Sequence, residues 1–276
     1  MSPRSFPWVK LLPSLVPLGI LFIGGFGTTL VRSGIFQSLE AYFLLMNSPG
    51  FGESALFSLR VAALSAGFST TLALVLALTV WRLQGLHRFA GLGFYLPLIL
   101  PPVSVGYLGI FWLGSRGMVA GVAQSLGMTF NSPLFRGDGV GLVLAYIYKE
   151  VPFGLLMILP LLRSIPLDMI HSARLLGARW PRILLTIILP TLVPVLSSTF
   201  LILFVYTFGA YDIPLILGES RPAMISQLLY RLYFHRPWEE GAQAAAGMVI
   251  LFLASLLMVL MYERIMKNVG SRNRPL

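Results

Sequence analysis

A chain of 276 residues, of which 57% are hydrophobic and only 11% charged, cannot clothe a water-facing surface in the usual way. A soluble domain carries roughly 25% charged residues, so most of this surface must face lipid or other apolar protein. The formal net charge is +10 and cysteine is absent, which excludes disulfides, Cys-based zinc sites and a thiol nucleophile.

In chain order, six segments reach the ~20 apolar residues needed to cross roughly 30 Å of hydrocarbon. They are 11–31, 54–81, 91–113, 140–162, 191–211 and 242–262. The fold class predicted is all-α, a polytopic membrane protein with a short N-terminal segment 1–10, a six-helix domain 11–262 and a tail 263–276. The first segment is too long for a signal-peptide core and has no small-residue cleavage site after it, so it reads as a retained anchor.

An even number of crossings brings both ends to one side. That side carries Arg4, Lys10, Arg82, Arg88, Arg163, Arg174, Arg179, Arg182, Arg264, Lys267, Arg272 and Arg274, twelve basic residues against two acidic ones, Asp168 and Glu263. The other side carries six, Arg32, Arg116, Arg136, Arg221, Arg231 and Arg236, against seven acidic residues. The positive-inside bias predicts that both termini are cytoplasmic. The basic excess then faces anionic headgroups and is no nucleic-acid footprint.

The third and fifth segments contain breakers, Leu100-Pro101-Pro102-Val103 and Gly209. A broken helix survives in a membrane only where protein or a water-filled cavity satisfies the freed backbone, which allows either ordinary kinks or a solute pathway. Lys149 and Glu150 sit inside the fourth segment, where charge is costly and functional by default. Consecutive on a helix, they point about 100° apart and need not pair. Tyr206, Gly209, Tyr211 and Asp212, toward the outer end of the fifth segment, complete the candidate pathway, with Asp212 placed to meet a cationic solute.

Between the fourth and fifth segments runs the loop 164–190, and its first part reads as a short helix. Pro166 suits a first turn, Asp168 favours the positive end of the helix dipole, and Gly177 is placed to end the helix left-handed. Leu167, Ile170 and Ala173, continued by Leu176, form an apolar stripe. Arg174, Arg179, Arg182 and Trp180 would also suit a helix lying in the headgroups.

The same loop reads His171-Ser172-Ala173, three residues to Gly177, nine from Ala178 to Thr186, then Ile187, one residue, and Leu189-Pro190. This resembles the loop of permease subunits of binding-protein-dependent ABC importers, whose pattern is EAA, three residues, Gly, nine residues, Ile, one residue, Leu-Pro. The family's acidic first position is His171 here and its first alanine is Ser172, while Ala173 is kept. The resemblance implies the type I (MetI-like) permease fold, with the helix over 166–176 docking in a cleft of an ATPase subunit. Asp168, His171, Ser172, Ala173, Arg174, Gly177, Ala178, Ile187, Leu189 and Pro190 then form the ATPase-coupling site.

The resemblance further implies a second permease subunit, the same chain or a homologous one, and a periplasmic or extracellular solute-binding protein. It places the chain in a bacterial inner membrane in contact with lipid. Stretch 208–218 also looks like the segment that follows the fifth span in the polyamine branch and its iron, thiamine and phosphonate relatives, which makes a polyamine or another small solute the expected cargo. No phosphate-cradling Gly-x-x-x-x-Gly-Lys-Ser/Thr string occurs, so the chain is not expected to be an enzyme or to bind a cofactor. ATP and Mg would belong to the partner ATPase. An ion-coupled transporter or channel and a membrane scaffold are the rival readings.

Overall fold

The computed structural model describes residues 7–35, 39–48, 50–83, 95–218, 222–234 and 241–272, apart from the side chains of 7–12, 14 and 267–272. The loop basic residues Arg4, Arg88, Arg221, Arg236 and Arg274 lie outside it. Every regular element among the described residues is a helix. In order they are α1 (Pro7–Arg32), α2 (Glu40–Met46), α3 (Phe51–Arg82), α4 (Leu96–Ile99), α5 (Pro102–Leu113), α6 (Met118–Ser125) and α7 (Val140–Arg163). There follow α8 (Leu167–Leu175), α9 (Trp180–Ile183), a π-helical turn (Leu184–Ile188), α10 (Leu189–Gly209), α11 (Asp212–Leu217), α12 (Ile225–Phe234) and α13 (Gly241–Arg272).

Six stretches are long and apolar enough to cross a membrane: Leu15–Arg32, Phe51–Arg82, Pro102–Ser125, Val140–Arg163, Trp180–Gly209 and Gly241–Met266. The third departs from the continuous helix expected at 91–113, whose first residues lie outside the described set. Leu100 and Pro101 are extended, with ψ of 134° and 143°, because each precedes a proline whose ring excludes the helical conformation. Pro102 then opens α5, where its missing N–H costs nothing.

The described residues divide into two compact units. The first comprises Met1–Phe51 and Leu228–Ala254. In it Phe26 meets Phe252 at 4.5 Å between ring centroids, and the Arg32 guanidinium donates to the Tyr233 hydroxyl at 2.5 Å. Leu18, Leu21 and Ile23 of α1 are exposed, as suits a helix bathed by lipid.

The second unit, Gly52–Gln227 with Ser255–Leu276, carries the candidate site. Helix α3 turns an unusually small face inward: Ser58, Ala62, Ser65, Ala66, Ser69, Ala73 and Ala77 are all buried. Between membrane helices there is little hydrophobic driving force, so association relies on close packing, which small side chains permit. Two apolar clusters result. One joins Ala73 and Val80 of α3, Leu155, Ile158 and Leu162 of α7, Ile170 of α8, Ile183 of α9 and Leu192 of α10. The other gathers Phe57, Val61, Val105, Leu142, Tyr146, Ile213 and Met224. Along α3, α7 and α10 the residues between the two clusters form a polar layer of Ser65, Ser69, Glu150, Thr199 and Thr207, all buried.

Candidate functional site

Helix α8 forms as its local chemistry dictates. Pro166 takes the position just before the first turn, with extended backbone (φ −60°, ψ 125°), rather than standing inside the helix, and Asp168 lies in the first turn. At the other end Gly177 adopts φ +81°, its N–H donates to Arg174 O at 2.9 Å, and the Ala178 N–H donates to Ala173 O at 3.0 Å. This pair of bonds is a Schellman closure, and its left-handed residue favours glycine.

The expected apolar stripe does not stay on one side. Spacing by three on a helix of 3.6 residues per turn slips about 60° backward at each step, so Leu176 lies about opposite Leu167. Only its middle members pack inward: Ile170 is 3% exposed and Ala173 lies against the apolar cluster around α3, α7 and α10. Leu167 is half exposed, and Leu175 and Leu176 are 88% and 89% exposed. Leu167, His171 and Arg174 face a pocket shared with Trp81, Arg82, Arg163 and Trp180, while Ser172 is exposed. Around the helix axis, Ser172 and Leu176 fall on the side away from that pocket.

The second half of the loop enters α10 without a gap. Ala178 packs against the apolar cluster, Trp180 and Pro181 open α9, and Ile187 lies in the π turn with Leu189 and Pro190 directly after it. Pro190 has no N–H for the carbonyl one turn back, and a register shift of one residue is how a helix absorbs such a loss. Hydroxyls reinforce the segment, with Thr186 donating to Arg182 O and Thr191 to Ile187 O, both at 2.7 Å. Thus α8 is tied to α3, α7 and α10 by packing, while the segment that follows its Gly177 closure, from Trp180 onward, runs into α10 as continuous helix.

Lys149 and Glu150 diverge, as consecutive helical positions should. The Lys149 ammonium donates to Leu100 O at 2.8 Å and Pro97 O at 3.5 Å. Pro97 O would in a regular helix accept from residue 101, which is proline and has no N–H, so the ammonium replaces a donor the sequence removed. Glu150, 2% exposed, turns the other way: Oε2 accepts from Ser69 Oγ at 2.7 Å and Oε1 accepts from Thr207 Oγ1. One carboxylate therefore links α3, α7 and α10. Burying it is tolerable because both oxygens have donors.

Tyr206 and Gly209 are exposed on the last turn of α10, Tyr211 is half buried, and Asp212 is the exposed first residue of α11. Gly209 ends the helix instead of breaking it, since Ala210 beyond it is extended (ψ 140°). The outer residues Glu219, Glu239, Glu240 and Trp238 fall outside the described set.

Sequence reading missed Ser65, Ser69, Thr199 and Thr207, and also Trp81 as partner to Trp180. The hydroxyls of Ser65, Tyr146 and Thr199 are buried with no hydrogen-bond partner among the described residues. A signal existed, because Ser58, Ser65 and Ser69 recur on one face of an otherwise apolar span.

Comparison with known proteins agrees with this architecture. Residues 69–275 match the family described as binding-protein-dependent transport system inner membrane component. The molybdenum transport system permease protein ModB of Mycobacterium tuberculosis is 24% identical over 258 residues, covering 93% of this chain and 94% of its own. The sn-glycerol-3-phosphate transport system permease protein UgpA of Yersinia pestis is 26% identical over 282 residues, covering 95% of each chain. Among solved structures, a chain of the bacterial alginate ABC transporter in complex with an alginate pentasaccharide-bound periplasmic protein superposes with a TM-score of 0.84 at 20% identity, covering 95% of this chain and 94% of that one. A chain of the MetNI methionine ABC transporter gives 0.59 at 16% identity, covering 84% and 99%. The chain belongs to the inner membrane components of binding-protein-dependent transport systems: it is a multi-pass inner-membrane permease subunit of an ABC importer, not itself an enzyme, and it works with a second permease subunit, separate ATPase subunits and a binding protein.

Proposed function

We propose that this permease moves its solute by alternating access, and that the loop 164–190 is the joint through which the ATPase drives it, with Asp168, His171, Ser172, Ala173, Arg174, Gly177 and Ala178 at the contact. Both termini and the loop lie in the cytoplasm on this reading, and ATP and Mg are held by the ATPase subunits. The observation that carries it is the contrast within α8. Ile170 is anchored among the spans while Leu175 and Leu176 are 88% and 89% exposed. A force applied to those leucines reaches α3, α7 and α10 directly. The π turn at Ile187, together with Leu189-Pro190, passes it into α10.

An anion is the class of cargo that fits best. sn-Glycerol 3-phosphate and alginate, named for one relative and one structural neighbour, are both anionic. Within α7 the carboxylate of Glu150 is already taken by Ser69 and Thr207, which leaves little to receive a polyamine. Lys149, half buried at the broken helix, donates to Leu100 O and Pro97 O but keeps a third ammonium hydrogen and its positive charge at membrane depth, and Asp212 belongs to the outer entrance.

The test is uptake into proteoliposomes holding the permease pair and the ATPase, with the binding protein outside. Uptake of molybdate, glycerol 3-phosphate or an acidic oligosaccharide is expected to need both enclosed ATP and the binding protein. Uptake by the permease alone along an ion gradient would reverse the mechanism. Transport of spermidine in preference to every anion would reverse the cargo assignment.

A further inference from the structure

The pocket between α8 and the ends of α3 and α7 takes His171 and Arg174 from the coupling loop, but also Arg82 and Arg163, which the ATPase contact does not use. Three guanidinium groups converge on it, from Arg82, Arg163 and Arg174, together with His171. Among the described residues no acidic side chain lines it, and its volume is about 740 Å3. Trp180 forms a wall, its ring 6.2 Å from that of Trp81, with the Arg82 guanidinium 4.4 Å over its centroid. Stacking of this kind orients a guanidinium and leaves its edge donors available.

We propose that this pocket binds the phosphate group of an anionic phospholipid. Arginine forks match phosphate oxygens in pairs, which makes phosphate the natural ligand for such a cluster. Depth selects the source. Arg82 and Arg163 are the last residues of α3 and α7, two spans that cross the membrane, so the pocket opens where hydrocarbon gives way to headgroups. Tryptophan prefers that same level. Leu167 and Ile170 add an aliphatic wall suited to the glycerol and upper acyl chain. The proposal rests on the reading that loop 164–190 is cytoplasmic, the leaflet where basic pockets between spans meet anionic lipid. Its consequence is a requirement for anionic lipid set by residues directly behind the coupling helix.

The experiment uses the whole importer, purified and exchanged into vesicles of phosphatidylcholine with or without phosphatidylglycerol. Retained lipid is read by native mass spectrometry, and ATP-driven uptake is compared between the two membranes. The wild-type complex is expected to retain phosphatidylglycerol and to transport faster in its presence. Arg82→Gln should weaken retention about fivefold, the equivalent of ~1 kcal/mol per basic residue at an anionic surface. Arg82→Lys, which keeps the charge, should recover much of the loss. Equal retention and equal lipid stimulation in Arg82→Gln and wild type would overturn the proposal. Inorganic phosphate occupying the site where phosphatidylglycerol does not would also overturn it, assigning the pocket to a soluble ion. A complex that retains lipid and also keeps its ATPase despite substitutions at the exposed tip of α8 would leave the headgroup site standing and count against the coupling reading alone.

Discussion

Replacing Gly154 by valine is expected to prevent α3, α7 and α10 from packing. A Cβ at Gly154 would fall 2.7 Å from Ala73 Cβ and 3.6 Å from Thr199 Cγ2. Ala73 Cβ is fixed to its backbone and cannot rotate away, so the helices must part. Overpacking a tight core costs about 1–3 kcal/mol and more where neighbours are rigid. Here close approach is itself the source of association, so the loss compounds. The Ser69–Glu150 bond at 2.7 Å lies one turn away and would open with it, leaving a buried carboxylate short of a donor. Thermal unfolding of the purified chain in detergent measures the effect. Gly154→Ala should fall between wild type and valine, and Ala73→Gly added to Gly154→Ala should recover stability. A valine variant that melts with the wild type would refute the three-helix contact.

Leu175→Asp combined with Leu176→Asp is expected to do the reverse, sparing the fold and abolishing coupling. Both side chains are almost fully exposed, and substitutions at such positions usually change stability by no more than about 0.5 kcal/mol. If they enter a cleft of the ATPase, each contributes roughly 1.5–3 kcal/mol of apolar burial. Losing both, with two charges added, weakens the contact by a factor on the order of 100 or more. Co-purification of the ATPase should fall and ATP-driven uptake should vanish while the melting temperature holds. Retained uptake in the double variant would show that the tip of α8 is not the contact.

What could be read from sequence followed the range of the interactions involved. Helix α8 and its Gly177 closure were legible because the proline, aspartate and glycine signals act within a few residues. The six spans were legible because length and apolarity are local sums. Breakage at Leu100-Pro101 could be foreseen as a breaker, yet not its remedy, since the Lys149 ammonium arrives from another helix. For the same reason the pairing of Glu150 with Ser69 and Thr207 stayed hidden: consecutive charges on α7 announce two directions and name no partner. The apolar stripe of α8 misleads because three-residue spacing does not hold one face: helical slip carries Leu176 around to the far side from Leu167.

The absence of cysteine from the whole chain makes the central claim directly measurable. Leu176→Cys introduces a single thiol at the exposed tip of α8, and Leu156→Cys places one on the exposed flank of α7 within the membrane as a control. In the assembled importer, a short thiol-to-amine crosslinker is expected to join position 176 to the ATPase subunit, with a yield that changes when ATP is added, and to leave position 156 unjoined. An intact, ATP-hydrolysing complex in which position 176 never crosslinks to the ATPase would contradict the assignment of loop 164–190 as the coupling joint.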